Sequence, residues 1–133
     1  MVEINAYSLK KDGEKKLSSN FQVKEFSCKD GSDAVLVAPR LVMVLQSIRE
    51  HFGAPVTINS AYRTPQYNTK VGGVDQSQHC YGTAADITVN GVSVEKVAAY
   101  ARKIMPDWGG VGIYKSQGFT HIDIREERSD WAG

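Results

Sequence analysis

Ala84-Ala85-Asp86-Ile87-Thr88-Val89 is the stretch whose reading decides the fold. Read with a period of two, Ala84, Asp86 and Thr88 point one way and Ala85, Ile87 and Val89 the other, as in a strand with one face in a core. A second stretch, Phe119-Thr-His-Ile-Asp-Ile-Arg125, is built alike. Ile122 and Ile124 face inward there, while His121, Asp123 and Arg125 share the opposite face. If the two strands are neighbours, Asp86 and His121 meet. Upstream, Gly82 eases a turn that brings His79 alongside them.

The clearest helix spans 39–52. Pro39 suits its first position, Leu41, Val44, Leu45, Ile48 and Phe52 form one apolar stripe, and Gly53 fits the C-terminal cap. Pro55–Ser60 reads as a strand, Arg63–Asn68 as a turn or short helix, and Val71–Gln78 as a long polar loop. Asn90-Gly91 turns the chain, and Ser93 caps a second helix that ends before Pro106, with Val94, Val97, Ala98 and Ala101 inward. Gly109–Tyr114 and Phe119–Arg125 are strands joined by a turn at 115–118. Residues 1–20 read as an edge segment or arm, with a turn at 11–14 and a connector at 17–20. Phe21, Val23 and Phe26 dock onto the body, and 28–33 is a polar turn. The sum is one α+β domain.

A chain of 133 residues can bury one core of its own. Its 16 basic and 15 acidic residues leave a net charge of +1, so no large field points to a nucleic-acid partner. Lys10, Lys11, Lys15 and Lys16 read as a solvated surface. No run approaches the roughly 18 apolar residues of a membrane span, and no membrane insertion is expected. Met-Val-Glu-Ile-Asn lacks the basic and apolar regions of a signal peptide, which suggests a product made in the cytoplasm or a trimmed chain. Cys28 and Cys80 are expected as free thiols. Cys80 is not expected to share a site with His79, because adjacent side chains alternate in extended backbone.

Two of the three histidines, His79 and His121, fall in these clusters. Two imidazoles and one carboxylate make a three-ligand zinc site with a fourth position open to water. Asp123 would lie about 7 Å along the strand from His121, within reach of a proton on that water. His51, in the last helical turn, reads as a surface or capping residue. A plainer reading also fits, in which each histidine is a hydrogen-bonded core residue and each aspartate ends a ladder. The spacing is less specific than His-Glu-x-x-His, and alone it leaves both readings open.

Ser60-Ala-Tyr-Arg63-Thr-Pro, Asn68, Gly72-Gly73, Ser77-Gln-His79, Gly82-Thr-Ala-Ala-Asp86-Ile and His121-Ile-Asp123-Ile-Arg125 occur in that order. Together they resemble the M15 family of zinc D-alanyl-D-alanine peptidases, in particular the small branch found in phage and prophage lysis genes. The likeness runs from about Phe21 to Trp131. It implies the hedgehog/DD-peptidase fold, a central, mostly antiparallel sheet flanked by helices, with 1–20 as the arm and 21–133 as the zinc peptidase domain. It also implies one Zn2+ held by His79, Asp86 and His121. Arg63 would stabilise an oxyanion or bind a substrate carboxylate, and Gln78 and Ser77 would orient the first ligand or bind substrate.

Many relatives carry the acid/base three residues before the second histidine, where this chain has Gly118. Asp123 is therefore the expected general base and acid, so that Asp123→Asn would keep zinc and lose turnover. The alternative is that it only orients His121 or pairs with Arg125. Tyr62, Tyr81, Trp108 and Tyr114 are candidate substrate contacts, Arg125 a candidate carboxylate binder, and Trp131 a residue that closes over the domain and fixes the tail. Glu126 and Glu127 read as solvated. The implied partner is the peptide stem of bacterial peptidoglycan, cut by a monomer that reaches the wall by phage-type release. Carboxypeptidase or dipeptidase action on the same site, and a non-catalytic wall-binding module, are the rival readings.

Overall fold

Ala85, Ile87 and Val89 supply the sheet's side of the core, and the helices pack where they point. The computed structural model describes residues 2–133. Its main sheet has strands β5 (Val56–Ser60), β6 (Ala84–Val89), β7 (Gly110–Tyr114), β8 (Phe119–Asp123) and β9 (Ser129–Ala132), in the order β5-β6-β8-β7-β9. All pairings are antiparallel except β7 with β9. Against the apolar face pack α2 (Pro39–Phe52) and α4 (Val94–Ile104), through Leu41, Leu45 and Ile48 of the first and Val97, Ala98 and Ala101 of the second. Ile87 and Ile122 are fully buried beneath them.

Local chemistry sets the ends of both helices. Pro39 opens α2, and Gly53 closes it in the left-handed region (φ 59), its N–H donating to the Arg49 carbonyl. The Ser93 hydroxyl caps α4 by accepting from the Lys96 N–H. Helix α3 (Pro65–Lys70) is short and capped by Thr64. His51 is exposed and stacks on Tyr100, with ring centroids 3.8 Å apart, far from any ligand role.

The N-terminal segment joins the fold as a small layer of paired strands. Strand β1 (Asn5–Ser8) pairs with β4 (Ala34–Val37), a strand the periodicity reading passes over. The one-turn helix α1 (Leu9–Asp12) follows, and β2 (Lys16–Ser18) pairs with β3 (Phe21–Gln22). Asp33 fastens this layer by accepting from the Ser8 hydroxyl and the Lys10 N–H, at 2.7 and 2.8 Å. Val2, Tyr7, Leu9 and Leu17 pack on the same core as Phe21, Val23 and Phe26. The physical reason is length: β4 is only four residues, too brief to show an alternation. Strand β9 escapes for the same reason.

Gly82 connects this layer to the future site. It ends the 3-10 turn Gln78–Tyr81 at φ 75, and its carbonyl accepts from the Ala38 N–H at the start of α2. A Cβ there would sit 2.5 Å from the Leu36 carbonyl oxygen. Gly82→Ala is therefore expected to cost about 1–3 kcal/mol, seen as a lower urea midpoint at unchanged m-value. A wild-type midpoint would contradict this account of the turn.

Candidate metal centre

The register places Asp86 directly opposite His121 across β6 and β8. His121 Nδ1 lies 2.9 Å from Asp86 Oδ1. His79 arrives from the 3-10 turn, whose Ser77 hydroxyl accepts from the His79 N–H. The His79 Nδ1–H donates to the Ala61 carbonyl at 2.7 Å, which leaves Nε2 facing Asp86 Oδ2 at 3.3 Å. One ligand atom from each of the three residues falls within 4.8 Å of the others, and all three residues are buried. These residues could hold a metal ion.

Electrostatics favour a cation here. Burial alone would push the Asp86 carboxyl up, yet hydrogen bonds and charge from His121 and His79 outweigh it and hold Asp86 well below the usual carboxylate range. Burial likewise disfavours a charged His121, but Asp123 and Asp86, one at each ring nitrogen, raise its pKa on balance. His121 thus has a carboxylate at each ring nitrogen, and its Nδ1 and the Asp86 oxygens face the same space.

Asp123 is fully buried and stands behind His121. Its Oδ2 accepts from His121 Nε2 at 2.8 Å and from Arg125 Nη2 at 2.6 Å. Its Oδ1 accepts from the Gly110 N–H and from Arg125 N and Nε. The carboxylate meets the ring nitrogen opposite the one facing Asp86, the arrangement of the alternative in which Asp123 orients His121 and pairs with Arg125. A Cα spacing of two residues does not fix the side-chain separation, and here the two side chains lean together. The same contacts hold Asp123 well below the usual range, against its burial. Gly118 is a hairpin glycine at φ 78.

The three residues open on a cleft of about 490 Å³. Arg63 is on its wall, donating from Nε to Ser60 Oγ at 3.1 Å and approaching Asp86 Oδ2 with Nη2 at 3.4 Å. Ser77, Gln78, Tyr114 and Arg125 line it too. Gln78 is tied to the Thr83 hydroxyl through its carbonyl and its side-chain oxygen. Tyr62 is 9% exposed and outside the cleft lining. Trp108 lies under Arg40, and Tyr81 is exposed outside the lining. Cys28 and Cys80 are free thiols.

Trp131, expected to close over the domain and fix the tail, is a cleft wall. Its ring centroid is 5.0 Å from that of His121, and its indole N–H donates to the Tyr114 hydroxyl. Two glycines of β7 make this possible. A Cβ on Gly112 would sit 2.6 Å from the Trp131 ring, and one on Gly110 would collide with the Asp123 carboxylate. The signal was present as Gly110-Val-Gly112, glycines at alternate positions of a strand. Arg102 of α4 holds β9 in place by donating to the Trp108, Gly109 and Ser129 carbonyls and to Asp130.

The family model for Peptidase M15 matches residues 17–123, and the chain belongs to this peptidase family. A zinc D-Ala-D-Ala carboxypeptidase of Streptomyces albus G is 43% identical over 44 residues, covering 32% of this chain. The match spans only 17% of that enzyme's length. The buried His-Asp-His group fits one zinc ion: two nitrogens and an oxygen, with the remaining side open to the cleft.

A carboxylate that sets the tautomer of a ligand histidine commonly matters as much as a ligand. Asp123→Asn should therefore weaken zinc binding by about 10–100-fold, measured by competition with a chromogenic chelator. Unchanged affinity with lost turnover would instead support Asp123 as the base.

Proposed function

We propose that the chain is a zinc peptidase that hydrolyses amide bonds in the peptide stems of bacterial peptidoglycan, cutting within the stem. The observation that carries this reading is the buried His79–Asp86–His121 group facing an open cleft beside Arg63. A zinc ion held there would polarise the scissile carbonyl and ease deprotonation of water. The protein's own residues do the rest. Asp123 fixes the His121 ring so that Nδ1 points into the site. The Ala61 carbonyl does the same for His79 through the opposite nitrogen. Arg63 holds guanidinium N–H groups at the cleft wall, where they stabilise negative charge on the substrate oxygen. Trp131, Tyr114 and Phe119 give one side an apolar surface for the stem.

Internal cleavage is favoured by Arg125, which commits Nε and Nη2 to Asp123 rather than to a terminal carboxylate. Arg63 bonds Ser60, Asn68 and Asp86 and keeps further N–H groups for the substrate oxygen. The name of the Streptomyces relative favours a second reading, removal of terminal D-Ala. An endolysin-type role rests on the sequence resemblance described above.

Digestion of purified cell wall followed by mass spectrometry of the fragments tests the proposal. Stem fragments cut at an internal amide, absent with chelator and restored by zinc, are the expected result. Loss of a single D-Ala would favour the carboxypeptidase. Wall binding with no cleavage at any zinc concentration would leave a non-catalytic module.

A further inference from the structure

Asn68 on α3 is 4% exposed. Its Oδ1 accepts from Arg63 Nη1 at 3.1 Å, and its Nδ2 donates to the Val74 carbonyl at 2.8 Å. Its backbone carbonyl accepts from the Gly73 N–H at 2.8 Å. One buried amide therefore links the cleft arginine to the loop on the cleft's rim. That loop carries Val71 and Val74, which line the cleft while remaining 47% and 73% exposed.

The adjacent glycines serve different ends. Gly72 sits at φ 76 with open space around it, so the turn requires it. Gly73 has no left-handed backbone, yet a Cβ there would lie 2.0 Å from Asn68 Oδ1 and 3.1 Å from Arg63 Nη1. Gly73 leaves room for the link between Asn68 and Arg63. Two independent features, a satisfied buried amide and a glycine demanded by space, meet at the same contact.

We infer that Asn68 is a positioning residue for the peptidase reaction: it fixes the Arg63 guanidinium at the cleft wall and couples it to the Gly72–Val74 rim. The inference rests on the role proposed for Arg63. An amide suits this place because it accepts from the guanidinium with one atom and donates to a carbonyl with the other. Aspartate would keep the first contact and lose the second. Alanine would lose both.

The test compares Asn68→Ala, Asn68→Asp and Gly73→Ala with wild type, alone and in an Arg63→Ala background. Asn68→Ala and Gly73→Ala should lower kcat on wall peptide by up to about 10²-fold at unchanged zinc content, with a smaller change in KM. Asn68→Asp should retain more turnover than Asn68→Ala. In the Arg63→Ala background, Asn68→Ala should add no further loss. An equal loss in both backgrounds would overturn the inference and make Asn68 a loop staple only. A second readout needs neither metal nor substrate: the Arg63 Nε–H resonance of the metal-free protein, sharp in wild type and Asn68→Asp, should broaden in Asn68→Ala and Gly73→Ala. Unchanged resonances would refute the positioning role even if the protein proved not to cleave wall. Broadened resonances in a protein without wall activity would uphold it and count against the proposed reaction instead.

Discussion

Everything at the site depends on the pairing of Asp86 with His121 across two central strands. Strand register is all or none in its consequences, because a slip of one residue would turn Asp86 into the core and Ile87 into the cleft. The apolar faces of β6 and β8, locked under α2 and α4, forbid that slip. The same burial that stabilises the sheet thus fixes two polar side chains to within hydrogen-bonding distance. His79 needs only one turn to join them.

Around this pair the charges form a layered set. Arg125 faces Asp123, Asp123 faces His121, His121 faces Asp86, and Arg63 approaches Asp86 from the other side. Each buried charge has a partner, as the low dielectric demands. Among the described residues, no buried side-chain polar atom is left without a hydrogen bond. Such a set resists reorientation, and that rigidity suits a metal site whose ligands must not wander. The glycines at 110 and 112 are part of the same design, since they make room for Asp123 and Trp131 on the crowded side of the sheet.

Much of this was legible in the chain. Period-two alternation gave the faces of 84–89 and 119–125, the second strand ending two residues earlier at Asp123, and helix 39–52 matches its observed bounds because proline, stripe and glycine all agree. Short strands were not legible: β4 and β9 have four residues each and take their form from partners distant in sequence. The site was readable as a set of residues and less so as geometry. Sequence spacing could place Asp123 near His121 but could not say which ring nitrogen it would meet. Tyr62 and Trp131 illustrate the same limit. Both flank motif segments or the tail; the packing of β9 beside β7 turns Trp131 to the cleft, while Tyr62, just past β5, lies outside the lining.

The most direct test of the central claim is anomalous diffraction at the zinc edge from crystals grown with one equivalent of the metal. The account predicts one peak in the cleft, with His79 Nε2 and His121 Nδ1 at about 2.0–2.1 Å and an Asp86 oxygen at about 2.0–2.2 Å. Zinc found at the cysteines or elsewhere on the surface, with the three residues still bonded to one another as in the metal-free protein, would contradict it.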